Sequence, residues 1–196
     1  MHGLINRSLE NFLRRTYGDG HWAAVMEEID CGFDSFEPMY VYADELTDRV
    51  LAVASARLEK PREDLLEDLG TFMVTHESSE RVRRLLRFGG VDYEDFLHSL
   101  DDLPGRARLA VQELELPELE LNEEGSGEYT LAVTSKMAGF AHVFLGMLRA
   151  LADDYGALAL LDYVGRTGQE ETISISLLDT GFQEGRAFDL AVGAGG

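Results

Sequence analysis

The hydrophobic pattern of this chain first changes period at the step Pro104-Gly105. Upstream, apolar residues recur every three to four positions, the spacing of one helix face. Downstream, Leu114-Glu115-Leu116-Pro117-Glu118-Leu119-Glu120-Leu121 alternates apolar and acidic residues with a period of two, the spacing of a half-buried strand. A pattern of one period does not settle into the other structure, so neither an all-helical bundle nor an all-β sandwich suits the chain. The fold class predicted is α+β, helices first and sheet second. Proline inside a helix removes a backbone donor and clashes with the preceding turn, at a cost of about 3 kcal/mol. The amphipathic segment 93–103, with Phe96, Leu97, Leu100 and Leu103 as its stripe, is therefore expected to stop at Pro104.

Helices are predicted over 6–17 (Leu9, Phe12 and Leu13 on one face, then Gly18-Asp19-Gly20), over 21–29 and over 44–58. Pro61 opens another helix that runs to 69, and 78–88 reads as a helix closed by Gly89-Gly90. Beyond Pro104 the expected order is strand 114–121, strand 128–134, helix 135–155, strand 157–164, a turn over 165–170 and strand 172–178. This amounts to one domain over 1–180. Its helical part spans 1–92; the second part, 93–180, carries a long helix and an antiparallel sheet of about four strands. Residues 181–196, rich in Gly and Ala, are expected to form a flexible tail.

With 196 residues and 45% hydrophobic content the chain can bury one substantial core. Its net charge of −20 repels nucleic-acid phosphates and anionic membrane surfaces, which argues against a nucleic-acid partner and favours solubility. The single Cys31 excludes an internal disulfide framework. No apolar run approaches the roughly 20 residues of a membrane span, and the N-terminus lacks a signal peptide's basic and apolar regions. A cytoplasmic location is the expectation. Phosphate-binding loop, nucleophile elbow, zinc-protease and dinucleotide motifs are all lacking, so no enzymatic activity is expected. The five histidines, His2, His21, His76, His98 and His142, show no metal-ligand spacing, and no metal site is expected from them. Large side chains including Phe12, Trp22, Phe72, Met73, Phe140, Phe144 and Met147 are enough to enclose an apolar ligand.

The string Met1-x-Gly3-x-x-Asn6-x-x-Leu9-Glu10, followed by Tyr17-Gly18-x-x-x-Trp22, resembles the start of the heme-nitric oxide/oxygen binding (H-NOX, HNOB) domain family, which includes the heme domain of soluble guanylate cyclase. The likeness continues through Asp44-x-x-Thr47, Ala54-Ser55, Leu66-x-x-x-Gly70-x-Phe72, Phe96-Leu97-x-x-Leu100-Asp101-x-Leu103 and Gly146-Met147-Leu148. In order, these pieces cover residues 1–178. The resemblance implies the α+β arrangement already read from periodicity, and heme as the family cofactor.

It also implies two departures. In the family the iron-binding histidine ends the pattern F-L-x-x-L-D-x-L-H, and a proline follows thirteen positions later against the heme. Here that frame reads Phe96-Leu97-His98-Ser99-Leu100-Asp101-Asp102-Leu103-Pro104, with Pro117 in the place of the family proline. The propionate-binding signature Y-x-S-x-R aligns with Val133-Thr134-Ser135-Lys136-Met137, where only Ser135 is kept. Asp44, aligned with the partner of the motif arginine, has lost that partner. His98 would point away from the position of Pro104, and His142 would approach from the opposite wall.

The expectation is thus a stand-alone sensor or signalling protein of bacterial type with a degenerate heme site and no cofactor. It would take another hydrophobic ligand, such as a fatty acid or a tetrapyrrole. The candidate pocket is Ile5, Met73, Val74, Leu100, Leu103, Val143, Met147 and Leu151, with Lys136 and His142 as polar contacts. A histidine kinase or cyclase-type signalling protein is the partner implied. Two alternatives remain open at this point: a heme sensor of nitric oxide or oxygen with unusual ligation, and a ligand-free regulatory interaction domain.

Overall fold

A computed structural model describes residues 1–77, 86 and 90–179. In chain order the elements are α1 (Gly3–Tyr17), α2 (Asp19–Ile29), α3 (Asp44–Leu58), α4 (Arg62–Thr75), α5 (Tyr93–His98), α6 (Leu103–Ala110), β1 (Glu118–Gly125), β2 (Glu128–Thr134), α7 (Phe140–Tyr155), β3 (Leu158–Thr167) and β4 (Glu170–Asp179). The architecture is α+β, as the change of period predicts. The sheet is antiparallel with four strands in the order β1-β2-β4-β3. The helix expected over 78–88, apart from Leu86, and the tail expected over 181–196 lie outside the described residues.

Element boundaries differ from the sequence reading where caps decide them. Helix α1 begins at Gly3 rather than at residue 6, because the His2 ring caps it: Nδ1 accepts from the Leu4 N–H at 3.2 Å. The long helix α7 begins at Phe140 rather than at 135. Gly139 before it is left-handed (φ 98°), a conformation that blocks continuation of the helix backwards. Strand β1 starts only after Pro117, since proline has no N–H for the ladder. Strands β3 and β4 run through most of the expected 165–170 turn and are joined at Gly168 (φ 64°) and Gln169.

The segment around Pro104 is a second correction. It is not a helix that proline ends but two short helices, α5 and α6, with Pro104 in the first turn of the second. In a first turn the backbone N–H has no intrahelical acceptor in any case, so proline costs little there and its fixed φ suits the helix.

One contiguous core joins the helical part to the sheet. The inner face of the sheet contributes Tyr129, Leu131, Val133, Leu161, Ile173 and Ile175, all buried, with Tyr129 meeting Glu94 and His98 of α5. Helices α4 and α7 meet backbone to backbone through a pair of glycines. A Cβ on Gly70 would run into the Val143 carbonyl, and one on Gly146 into the Glu67 carbonyl. On the outer face Leu158, Leu160, Val164 and Leu178 are exposed, while β1 presents Glu118, Glu120, Glu123 and Glu124 to solvent.

Candidate functional site

A cleft of about 920 Å³ opens between the start of α1, the segment leading into β1, and the loop from β2 to α7. The first residues of the chain form one wall because several bonds hold them down. The Met1 amine donates to the Tyr42 carbonyl at 2.7 Å and to Asp44 Oδ1 at 2.5 Å. The Gly3 N–H donates to the Tyr40 carbonyl at 2.7 Å, and His2 bridges Val41. Gly3 is needed for this approach, since a Cβ there would collide with the Glu37 carbonyl. Asp44, which the resemblance leaves without its arginine, is thus paired with the amine of Met1.

The opposite walls are Arg108 from the end of α6, residues 112–118, and Thr134, Ser135, Lys136, Met137 and Phe140. Ser135 holds the loop shape: its N–H donates to the Gln169 carbonyl at 3.0 Å, and its Oγ accepts from the Met137 N–H at 3.2 Å. The turn ahead of α7 is fixed from behind by Glu171 of β4, which is 3% exposed. Its carboxylate accepts from the N–H of Gly139 at 2.9 Å and of Ala141 at 3.3 Å. The Tyr163 hydroxyl lies 3.5 Å from Glu171 Oε1. Burial, and then the negative charge of Glu171, raise the Tyr163 pKa above its ordinary value.

Of the residues singled out from sequence, Pro117, Ser135, Lys136 and Met137 line this cleft. Val74, Leu100, Leu103, Val133, Val143, Met147 and Leu151 lie instead in the continuous core, with Ile5 and Met73 packed against it. Pro104 is buried in the first turn of α6 and does not line the cleft.

The histidines are dispersed. His98 is exposed, edge-on to Tyr129 with ring centroids 5.7 Å apart. His142 stacks on Tyr163 of β3 at 4.4 Å, turned toward the sheet. His76 stacks on Phe72, and His21 packs beside Tyr17. Only His2 lines the cleft, and it is 4% exposed. Its Nε2 is buried and has no hydrogen-bond partner among the described residues. Sequence reading counted His2 among five histidines and missed this position. A helix read as starting at residue 6 leaves His2 well outside the capping position, so the sequence carries no clear signal for it.

The sequence profile of the family described as Haem-NO-binding matches residues 2–159. The chain belongs to the Haem-NO-binding family. Curated relatives within reach include soluble guanylate cyclase 89Db of Drosophila melanogaster, 23% identical over 164 residues, which span 84% of this chain and 24% of that protein. Another is soluble guanylate cyclase gcy-35 of Caenorhabditis elegans, 28% identical over 156 residues, or 78% of this chain and 22% of that protein. The chain therefore spans about a quarter of the length of these relatives. Solved H-NOX structures share the fold. An iron(II) unliganded mutant from K. algicida superposes with a TM-score of 0.79 at 17% identity, covering 93% of this chain and 99% of that one. An H-NOX protein from S. oneidensis in the Fe(II)NO state gives 0.77 at 16% identity, covering 91% and 100%. Haem-NO-binding domains are sensor modules that normally carry heme, and they are not themselves catalytic. No helix among the described residues is long and apolar enough to cross a membrane.

Proposed function

We propose that this Haem-NO-binding domain is a sensor that works without histidine-ligated heme and takes a different apolar small molecule in the cleft. The observation that carries the reading is Pro104. Heme iron in sensor domains needs an axial donor, and a proline ring nitrogen within a peptide bond has no lone pair to give. Around Pro104 the buried neighbours in sequence, Leu100, Leu103 and Ala107, are apolar as well.

The other histidines do not fit the role. His98 and His142 are engaged with Tyr129 and Tyr163. His2 accepts an N–H at Nδ1, so its neutral ring keeps the proton on Nε2. A metal-bound histidine has the reverse arrangement, donating through its second nitrogen. The propionate signature is equally unsuited, because Val133 and Met137 are apolar and buried and Ser135 is bonded to its own loop. The residues present do not fit a heme held in the family manner.

The cleft itself has the volume of a small-molecule site, and Pro117, Met137 and Phe140 give it apolar walls. Since the relatives are named as guanylate cyclases and this chain covers only the sensor portion, the partner class proposed is a cyclase or histidine kinase signalling protein.

Native mass spectrometry of the purified protein, together with hemin titration, tests the reading. The expected result is a retained organic molecule and no stoichiometric Soret band. A stoichiometric Soret band that shifts with nitric oxide, and disappears in His142→Ala, would establish unusual heme ligation instead. A protein that retains nothing and binds nothing would establish a ligand-free regulatory domain.

A further inference from the structure

Three cationic or donor groups on the cleft lack partners among the described residues: Arg108, Lys136 and Nε2 of His2. Among the described Lys and Arg residues, nearly all are engaged: Arg7, Arg14, Arg57, Lys60, Arg62 and Arg149 with carboxylates, and Arg49, Arg106 and Arg166 with backbone carbonyls. That is what a chain with 37 acidic and 17 basic residues leads one to expect. Arg15, Arg108 and Lys136 have neither an ion pair nor a hydrogen bond among the described residues, and the last two line the same cleft. His2 adds a buried Nε2 without an acceptor.

The chemistry of His2 fixes what it asks for. Because the Leu4 N–H occupies Nδ1, the neutral ring presents Nε2 as a donor. A buried donor without an acceptor is destabilising, and the penalty vanishes when a ligand supplies an oxygen. We infer that the cleft takes a long-chain carboxylate, its head group accepting from His2 Nε2 and neutralised by Lys136 and Arg108, its chain lying along Leu116, Pro117, Met137 and Phe140. This rests on the reading that the domain binds an apolar ligand without heme. Glu113, Glu115 and Glu118 also line the cleft; they are exposed, as are Arg108 and Lys136, so water and salt screen both signs alike and the selectivity rests on His2. His2 is buried, where a charge-assisted hydrogen bond is stronger.

Equilibrium dialysis of the full chain against radiolabelled palmitate and hexadecanol, each below its aggregation concentration, separates head group from chain. Palmitate is expected to bind at least about tenfold more tightly than the alcohol, the effect of a hydrogen bond to a charged group. In His2→Asn, whose side-chain oxygen still caps the Leu4 N–H, that preference should fall to about that of the alcohol. Lys136→Gln with Arg108→Gln should weaken palmitate alone and flatten its salt dependence. Equal binding of acid and alcohol by the unaltered protein overturns the head-group assignment while leaving the apolar-ligand reading intact. If neither binds, that reading falls and this inference with it.

Discussion

The carboxylate of Glu171, near the start of β4, receives the backbone N–H of Gly139 at the start of α7, both oxygens lying within 3.0 Å of that nitrogen. Gly139 has no side chain to cap the helix, so the cap arrives from a distant strand. Glu171→Gln places an NH₂ where an acceptor is required, and Glu171→Ala leaves buried helix donors with nothing. Losses of about 1–3 kcal/mol are expected for the glutamine variant and more for the alanine. Urea unfolding should show a lower midpoint with an unchanged slope.

Gly70 and Gly146 allow α4 and α7 to touch through their backbones. Alanine is about 1 kcal/mol better than glycine in a helix interior, yet Gly146→Ala should destabilise. The new methyl meets the Glu67 carbonyl, and backbone cannot step aside as a flexible side chain can. A net loss of about 1–3 kcal/mol is expected in thermal or urea unfolding, and a gain in stability would contradict the close packing.

Pro104→Ala discriminates between two placements of the proline. A proline interrupting a helix would, on removal, return about 3 kcal/mol. A proline in the first turn of α6 gives no such gain, and its loss should lower stability by about 0.4–1 kcal/mol through the freer unfolded chain. The sign of the change in chemical denaturation decides.

Alkaline stability should decline in a defined window. Burial raises the pKa values of Tyr93 and Tyr129, with the Glu94 carboxylate, 2.6 Å from the Tyr129 hydroxyl, adding to the second. For a raised pKa the folded state holds its proton while the unfolded state, near 10.0, has released it. Stability from these groups is therefore complete below pH 10 and lost progressively above it. Tyrosinate absorbance should lag in the folded protein, and Tyr129→Phe should reduce the slope of stability against pH above 10.

The order of helices and strands could be read from hydrophobic period because burial imposes that period wherever an element has one dry face. Caps could not be read so easily. Glu171 caps α7 from a strand that follows it in sequence, and His2 caps α1 through a ring nitrogen, a less familiar cap than Ser or Asp. Local propensity carries no trace of the first. The family frame drew attention to Pro104, Val133 and Val143, yet these belong to packed interior, while the open space lies toward Pro117 and Lys136. Val143 is packed because α4 and α7 touch there through Gly70 and Gly146, a closeness that hydrophobic period does not record.

The strand order β1-β2-β4-β3 puts β1 and β3 at the margins of the sheet, and among the described residues they are guarded unequally. β1 carries Glu118, Glu120, Glu123 and Glu124, a row of like charge that repels a second copy seeking to pair with it. β3 has exposed Leu158, Leu160 and Val164, interrupted by Asp162 and by the irregular register between Tyr163 and Gly165. Salt disarms the first guard and leaves the shape of the second untouched. The large negative charge thus makes the solubility of this protein a property of its buffer as much as of its fold, and concentrated salt is where self-association should begin, along the acidic margin.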